Sequence, residues 1–227
     1  MSTAIKVARY QMVQRFNSVT LPWVALALLF ASQWAVIAML GMRDVQLTGL
    51  VSIYAVFFIV GVSTVARSLP FGLALGLSRR SYYLGTVLLA LALTSVDGLL
   101  LAALQEVERA TGGWGFELFF FRVQYILDGP WYLTWLTSFV ALTLAFVYGM
   151  WWGLVYLRWR RMGRRVFLVT QILALLAVGL TADRFAAWPN IGRFFSDLTA
   201  TGLTGVLAVA AVALLVGGYA TIRRVAV

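Results

Sequence analysis

Of the eight acidic side chains in this 227-residue chain, a single one lies inside an apolar run: Asp97, in LALTSVDGLLLAAL. An acid near the centre of a bilayer costs roughly 2.5–3.5 kcal/mol on insertion scales, so it must face protein or water. One chemistry for Asp97 is a cavity contact for a cationic or polar substrate group, or a proton site. The other is structural, a hydrogen bond to Thr94, Ser95 or a neighbouring helix. Polar positions of other apolar runs, Gln33, Ser52, Thr64 and Gln171, are candidates to line the same cavity. Cysteine and histidine are absent. Their absence removes disulfides, thiolate or imidazole metal sites, and Ser-His or Cys-His nucleophiles. No GxxxxGK[ST] loop is present, so the chain has no P-loop for ATP. No catalytic residue, bound cofactor or metal is therefore expected in this chain.

The surroundings of Asp97 define the class. Hydrophobic residues make up 62% of the chain and charged residues 11%, against about 25% charged in a soluble domain. Mean hydropathy is +0.90. Lipid must be much of the solvent. Six runs approach or exceed the roughly 20 residues a spanning helix needs: about Leu21–Gly41, Gly49–Ala66, Tyr83–Leu104, Trp131–Leu157, Val166–Ala182 and Thr201–Ile222. The first lies too far into the chain for a cleaved signal peptide.

Charge sorts the connecting segments. Lys6, Arg9, Arg15, Arg67, Arg79, Arg80, Arg158, Arg160, Arg161, Arg164, Arg165, Arg223 and Arg224 fall on one side, with no acid among them. The other side holds five arginines and seven acids. Thirteen cations against five predict both termini in the cytoplasm. The net charge of +10 is then topology, and no nucleic-acid partner is implied. The expected fold is an all-α membrane protein with six transmembrane helices in one transmembrane domain, residues 1–227.

Three segments outside the spans carry signals. Residues 1–20 place Ile5, Ala8, Met12 and Phe16 at helical spacing among cations, as an amphipathic helix on anionic lipid would. A turn is expected over Asn17–Pro22. Residues 105–130 and 182–199 are rich in aromatics, which favour the membrane interface, and are expected to form short helices on or in the outer leaflet. Gly149 and Gly153, and Gly72 and Gly76, have the GxxxG spacing that lets helices approach.

The stretch SLPFGLALGLSRRSYYLGT, Ser68 to Thr86, punctuates two apolar runs with proline, glycine and paired arginines. Pro70 is expected to end the second span, and Ser78 to cap the third. Gly76-Leu77-Ser78-Arg79-Arg80, followed by Tyr82, is similar to the G-[VLI]-S-R-[RK]-x-[FY] stretch of ABC-2 type ABC transporter permeases. Six spans, a basic amphipathic start and an outer piece before the last span extend the resemblance along the whole chain.

The resemblance implies that residues 68–82 form a short cytoplasmic coupling helix docked on a separate nucleotide-binding subunit. Phe71, Leu75, Ser78, Arg79, Arg80 and Tyr82 would be its ATPase-coupling residues. It also implies a second permease chain, identical or related, around a shared path, with ATP and Mg held by the partner ATPase. The expected function is that of the transmembrane subunit of an exporter in the bacterial cytoplasmic membrane, moving a hydrophobic or amphipathic substrate such as a drug, peptide, lipid or glycolipid. The alternatives are a self-powered secondary transporter using Asp97, and a non-transporting membrane scaffold or sensor.

Overall fold

The structure, a computed structural model, describes residues 16–40, 45–46, 50–121, 130–196 and 199–223. Long helices dominate: α1 (Phe16–Leu40), α2 (Leu50–Ala74), α3 (Arg79–Ala110), α4 (Trp131–Arg184), α5 (Trp188–Ser196) and α6 (Ala200–Ile222). Two dipeptides, β1 (Val45–Gln46) and β2 (Leu118–Phe119), pair in parallel. Six helical segments are long and apolar enough to cross a membrane. α4 contains two of them, Trp131–Trp159 and Arg165–Arg184.

Although α4 is one unbroken helical run of 54 residues, it folds back on itself. The Tyr148 hydroxyl donates to Gln171 Oε1 at 2.8 Å, and the Phe167 ring packs on Trp151 and Trp152 at 5.3 and 5.0 Å. A straight helix would separate residues 148 and 171 by about 34 Å. The chain therefore reverses between Trp152 and Phe167, and the two apolar segments are antiparallel, as the sequence pattern predicts.

The first leg of α4 is the centre of the bundle, packed against α2, α3 and α6. Leu142, Phe146, Met150 and Leu154 recur every four residues and are all buried. Between helices in lipid there is no hydrophobic drive, so close packing must hold them. Glycine makes this possible. A Cβ on Gly149 would run into the Phe58 carbonyl, one on Gly61 into the Phe146 carbonyl, and one on Gly153 into the Val62 carbonyl at 2.8 Å. Gly149 and Gly153 thus do what their spacing suggests. Hydroxyl pairs stitch the other faces: Thr94 to Thr143 at 2.8 Å and Thr137 to Thr204 at 2.6 Å.

Contacts of α4 with α2 near Gly153, and of α6 with Tyr83 near Gly218, bring the α2–α3 turn, the α4 bend and the end of α6 to one end of the bundle. Arg67, Arg79, Arg80, Arg158, Arg165 and Arg223 gather there. Glu106, Glu108, Arg109, Asp183 and Arg184 lie towards the other.

Several expectations need correction. α1 is helical from Phe16, so no turn occurs over Asn17–Pro22; residues 1–15 of the expected interfacial helix lie outside the described residues. Pro70 does not end the second span, because α2 continues through it to Ala74. No separate short helix forms over residues 68–82: Ser68–Ala74 finish α2 and Arg79–Tyr82 begin α3. The 105–130 segment is not a surface helix in its described part. α3 runs on to Ala110, and the chain then turns back through Gly113–Glu117 and β2. Within 182–199, α5 is the short helix expected.

Candidate functional site

The α2–α3 turn is closed at both ends by local chemistry. The Gly76 N–H donates to the Leu73 carbonyl at 3.0 Å and the Leu77 N–H to Gly72 at 3.1 Å. This is a Schellman closure, with Gly76 at φ +79°, where a side chain would be strained. Two residues later Ser78 caps α3, its Oγ accepting from the Ser81 N–H at 3.1 Å. A helical hairpin with such short closure cannot splay without losing both caps.

Tyr82 braces that hairpin from within. It is 1% exposed, its hydroxyl shares a 2.6 Å hydrogen bond with Ser68, and it also donates to the Thr64 carbonyl at 3.2 Å. Tyr82 is therefore a strut and not a docking residue. Tyr83, also buried, donates to the Leu215 carbonyl at 2.7 Å. Arg79 Nη1 donates to the Arg223 carbonyl at 3.2 Å, tying the turn to the end of α6. What the turn presents outward is Phe71 (50% exposed), Leu75 (63% exposed) and the exposed Arg80. An apolar knob beside a cation, on a braced hairpin, is a surface suited to docking.

A second constellation lies along α3. Asp97 is 6% exposed and accepts from Trp23 Nε1 at 2.7 Å, so α1 supplies its partner. Thr94 bonds the Ala90 carbonyl and Thr143 instead. Eleven residues later, three turns and about 16 Å along the same face, Glu108 is fully buried. Its Oε2 accepts from Trp114 Nε1 at 3.0 Å, the Phe120 N–H at 3.1 Å and the Phe121 N–H at 2.9 Å. Glu108 thereby pins the returning chain under the bundle's end. The return itself needs Gly112, Gly113, Trp114 and Gly115 all at positive φ. Trp114 tolerates this because its ring is fixed against Phe30 at 4.9 Å as well as by Glu108.

Between the two carboxyls lies an apolar groove of about 440 Å³, walled by Trp23, Leu26, Ala27 and Phe30 of α1, Leu100, Ala103, Leu104 and Val107 of α3, and Trp114 and Phe121. Trp23 is seven residues into α1 while Asp97 is eighteen into α3. α1 thus flanks the second half of α3.

The expected path residues do not converge within one chain. Thr64 faces the Tyr82 strut and returns its hydroxyl to the Val60 carbonyl at 2.6 Å. Gln171 serves the α4 fold-back, and Ser52 sits half-buried on α2. Gln33 turns Oε1 into the protein with no donor among the described residues. Sequence reasoning missed Trp23, Trp114 and Glu108. The glycines of TGGWG are the one signal that could have marked a turn, but nothing in the pattern says that the turn folds back onto an acid.

No family model matches the chain, and no match was found among curated proteins or solved structures.

Proposed function

We propose that the chain is the transmembrane subunit of an ATP-driven exporter of the ABC-2 type in a bacterial cytoplasmic membrane. Both termini would face the cytoplasm, and the α2–α3 turn would dock on a separate ATPase subunit that holds ATP and Mg. A second permease chain would complete the translocation path. The observation that carries the reading is the braced hairpin: Phe71, Leu75 and Arg80 stand out from a turn that two caps and Tyr82 keep rigid. A lever has to be stiff to move the spans when its partner closes. That Arg67, Arg79, Arg80, Arg158, Arg165 and Arg223 gather at the hairpin's end supports an inward-facing turn.

The Asp97 carboxyl, bonded to Trp23, supports ligand contact better than self-powered transport. Intramembrane proton relays use chains of ionisable groups, and Asp97 is the single acid of its run.

The test is ATP hydrolysis by the chain isolated from native membranes in mild detergent. Wild type is expected to carry hydrolytic activity with it. Arg80→Glu, alone and with Arg79→Glu, is expected to lower that activity several-fold while membrane insertion is unchanged. Identical hydrolysis in the wild type and the double variant would remove the coupling role of these arginines.

A further inference from the structure

The groove between α1 and α3 has a composition that selects its ligand. Four of its ten wall residues are aromatic: Trp23, Phe30, Trp114 and Phe121. The other six are aliphatic, so no wall side chain other than the two indoles carries a hydrogen-bonding group. Both indole N–H groups point away into carboxyls, Trp23 to Asp97 and Trp114 to Glu108. A polar ligand entering here would leave its own donors unpaired, which is costly in a site without water. Leu100 and Val107, each 45% exposed, put the mouth of the groove on the flank of the bundle, where ligands arrive through lipid.

Charge points the same way. Among the described residues no lysine or arginine pairs with Asp97; the ion pair on α3 is Arg109 with Glu106. Among the described residues, an acid therefore stands behind an aromatic wall without a counter-charge. Aromatic rings attract cations through their negative faces, tryptophan most strongly, and aromatic cages are the usual receptors for quaternary ammonium groups. An indole whose N–H donates to a carboxyl is a richer face than a free one. We propose that this groove binds bulky hydrophobic cations without hydrogen-bond donors, such as quaternary ammonium or phosphonium ions, held by Trp23 and Trp114 with Asp97 as counter-charge. The inference deepens the exporter reading by naming a substrate class, and its test contains no ATPase, so either can fail without the other.

The experiment uses the full chain in nanodiscs of zwitterionic lipid, with empty discs as the baseline. Radiolabelled tetraphenylphosphonium and, in separate samples, tetraphenylborate, which has the same shape and opposite charge, are measured by equilibrium dialysis. Saturable binding is expected for the cation and none for the anion. Asp97→Asn keeps an acceptor for Trp23 and is expected to weaken cation binding by about tenfold or more. Ala103→Trp, which fills the groove from an exposed wall position, is expected to abolish it. Absence of saturable cation binding, equal binding of the anion, or Asp97→Asn affinity within twofold of wild type would each overturn the proposal.

Discussion

Asp97 and Glu108 sit on one face of one helix, yet the structure gives them different work. Asp97 accepts from Trp23, a wall residue of the groove. Glu108 gathers three N–H donors on a single oxygen and closes a loop. Hydrogen bonds to a carboxyl are worth more than neutral ones, and leaving buried donors unpaired costs further. Glu108→Ala is therefore expected to lower stability by about 2–3 kcal/mol, read as a fall in thermal midpoint in detergent, with Glu108→Gln falling less. A second residue-scale prediction concerns Ala186, which holds φ +46° where the chain leaves α4, with Ala187 N–H returning to the Ala182 carbonyl. That position suits glycine, so Ala186→Gly is expected to raise the midpoint, by about 1 kcal/mol of stability. Asp97 stood out in the sequence because of what surrounds it. Glu108 did not, since its burial depends on a loop whose direction is set by four consecutive positive-φ residues.

At the scale of elements, the six apolar runs became six spanning segments on five helices, and their existence was legible from length alone. Their ends were not. Pro70 reads as a terminator, but α2 passes through it, and the helix stops where Gly76 can take the left-handed conformation that a Schellman closure needs. Proline is tolerated in spanning helices when other groups satisfy the backbone. The reversal within α4 is the most consequential element-scale feature, and the absence of native cysteine makes it simple to test. A Trp152→Cys, Phe167→Cys chain is expected to cross-link internally with a short bifunctional maleimide, giving a faster-migrating monomer. A Trp152→Cys, Leu180→Cys chain is expected not to. The glycine contacts make a further prediction. Gly149→Leu places a side chain where the Phe58 carbonyl stands, so α2 must move away, at a cost of about 1–3 kcal/mol. Gly179→Leu meets open space and is expected to leave stability unchanged.

For the molecule as a whole, the sequence was most informative through charge and least informative about contact. Thirteen cations on one side predicted which helix ends belong together, and the bundle brings the described ones to one end. Which polar residues meet across helices was not legible: Gln33, Ser52, Thr64, Gln171 and Asp97 share polarity but not location. The hairpin residues divide in the same way. Tyr82 belongs to the strut and Arg79 to the α6 contact, leaving Phe71, Leu75 and Arg80 as the outward set. The most direct test of a docking lever is a photoreactive benzophenone amino acid placed at Leu75, with Val209, an exposed residue of α6, as the lipid-facing control. Irradiation of native membranes is expected to join the Leu75 position to a protein that azido-ATP also labels, and to give no such adduct from Val209. An adduct-free Leu75 position, or an adduct that binds no nucleotide, would contradict the account.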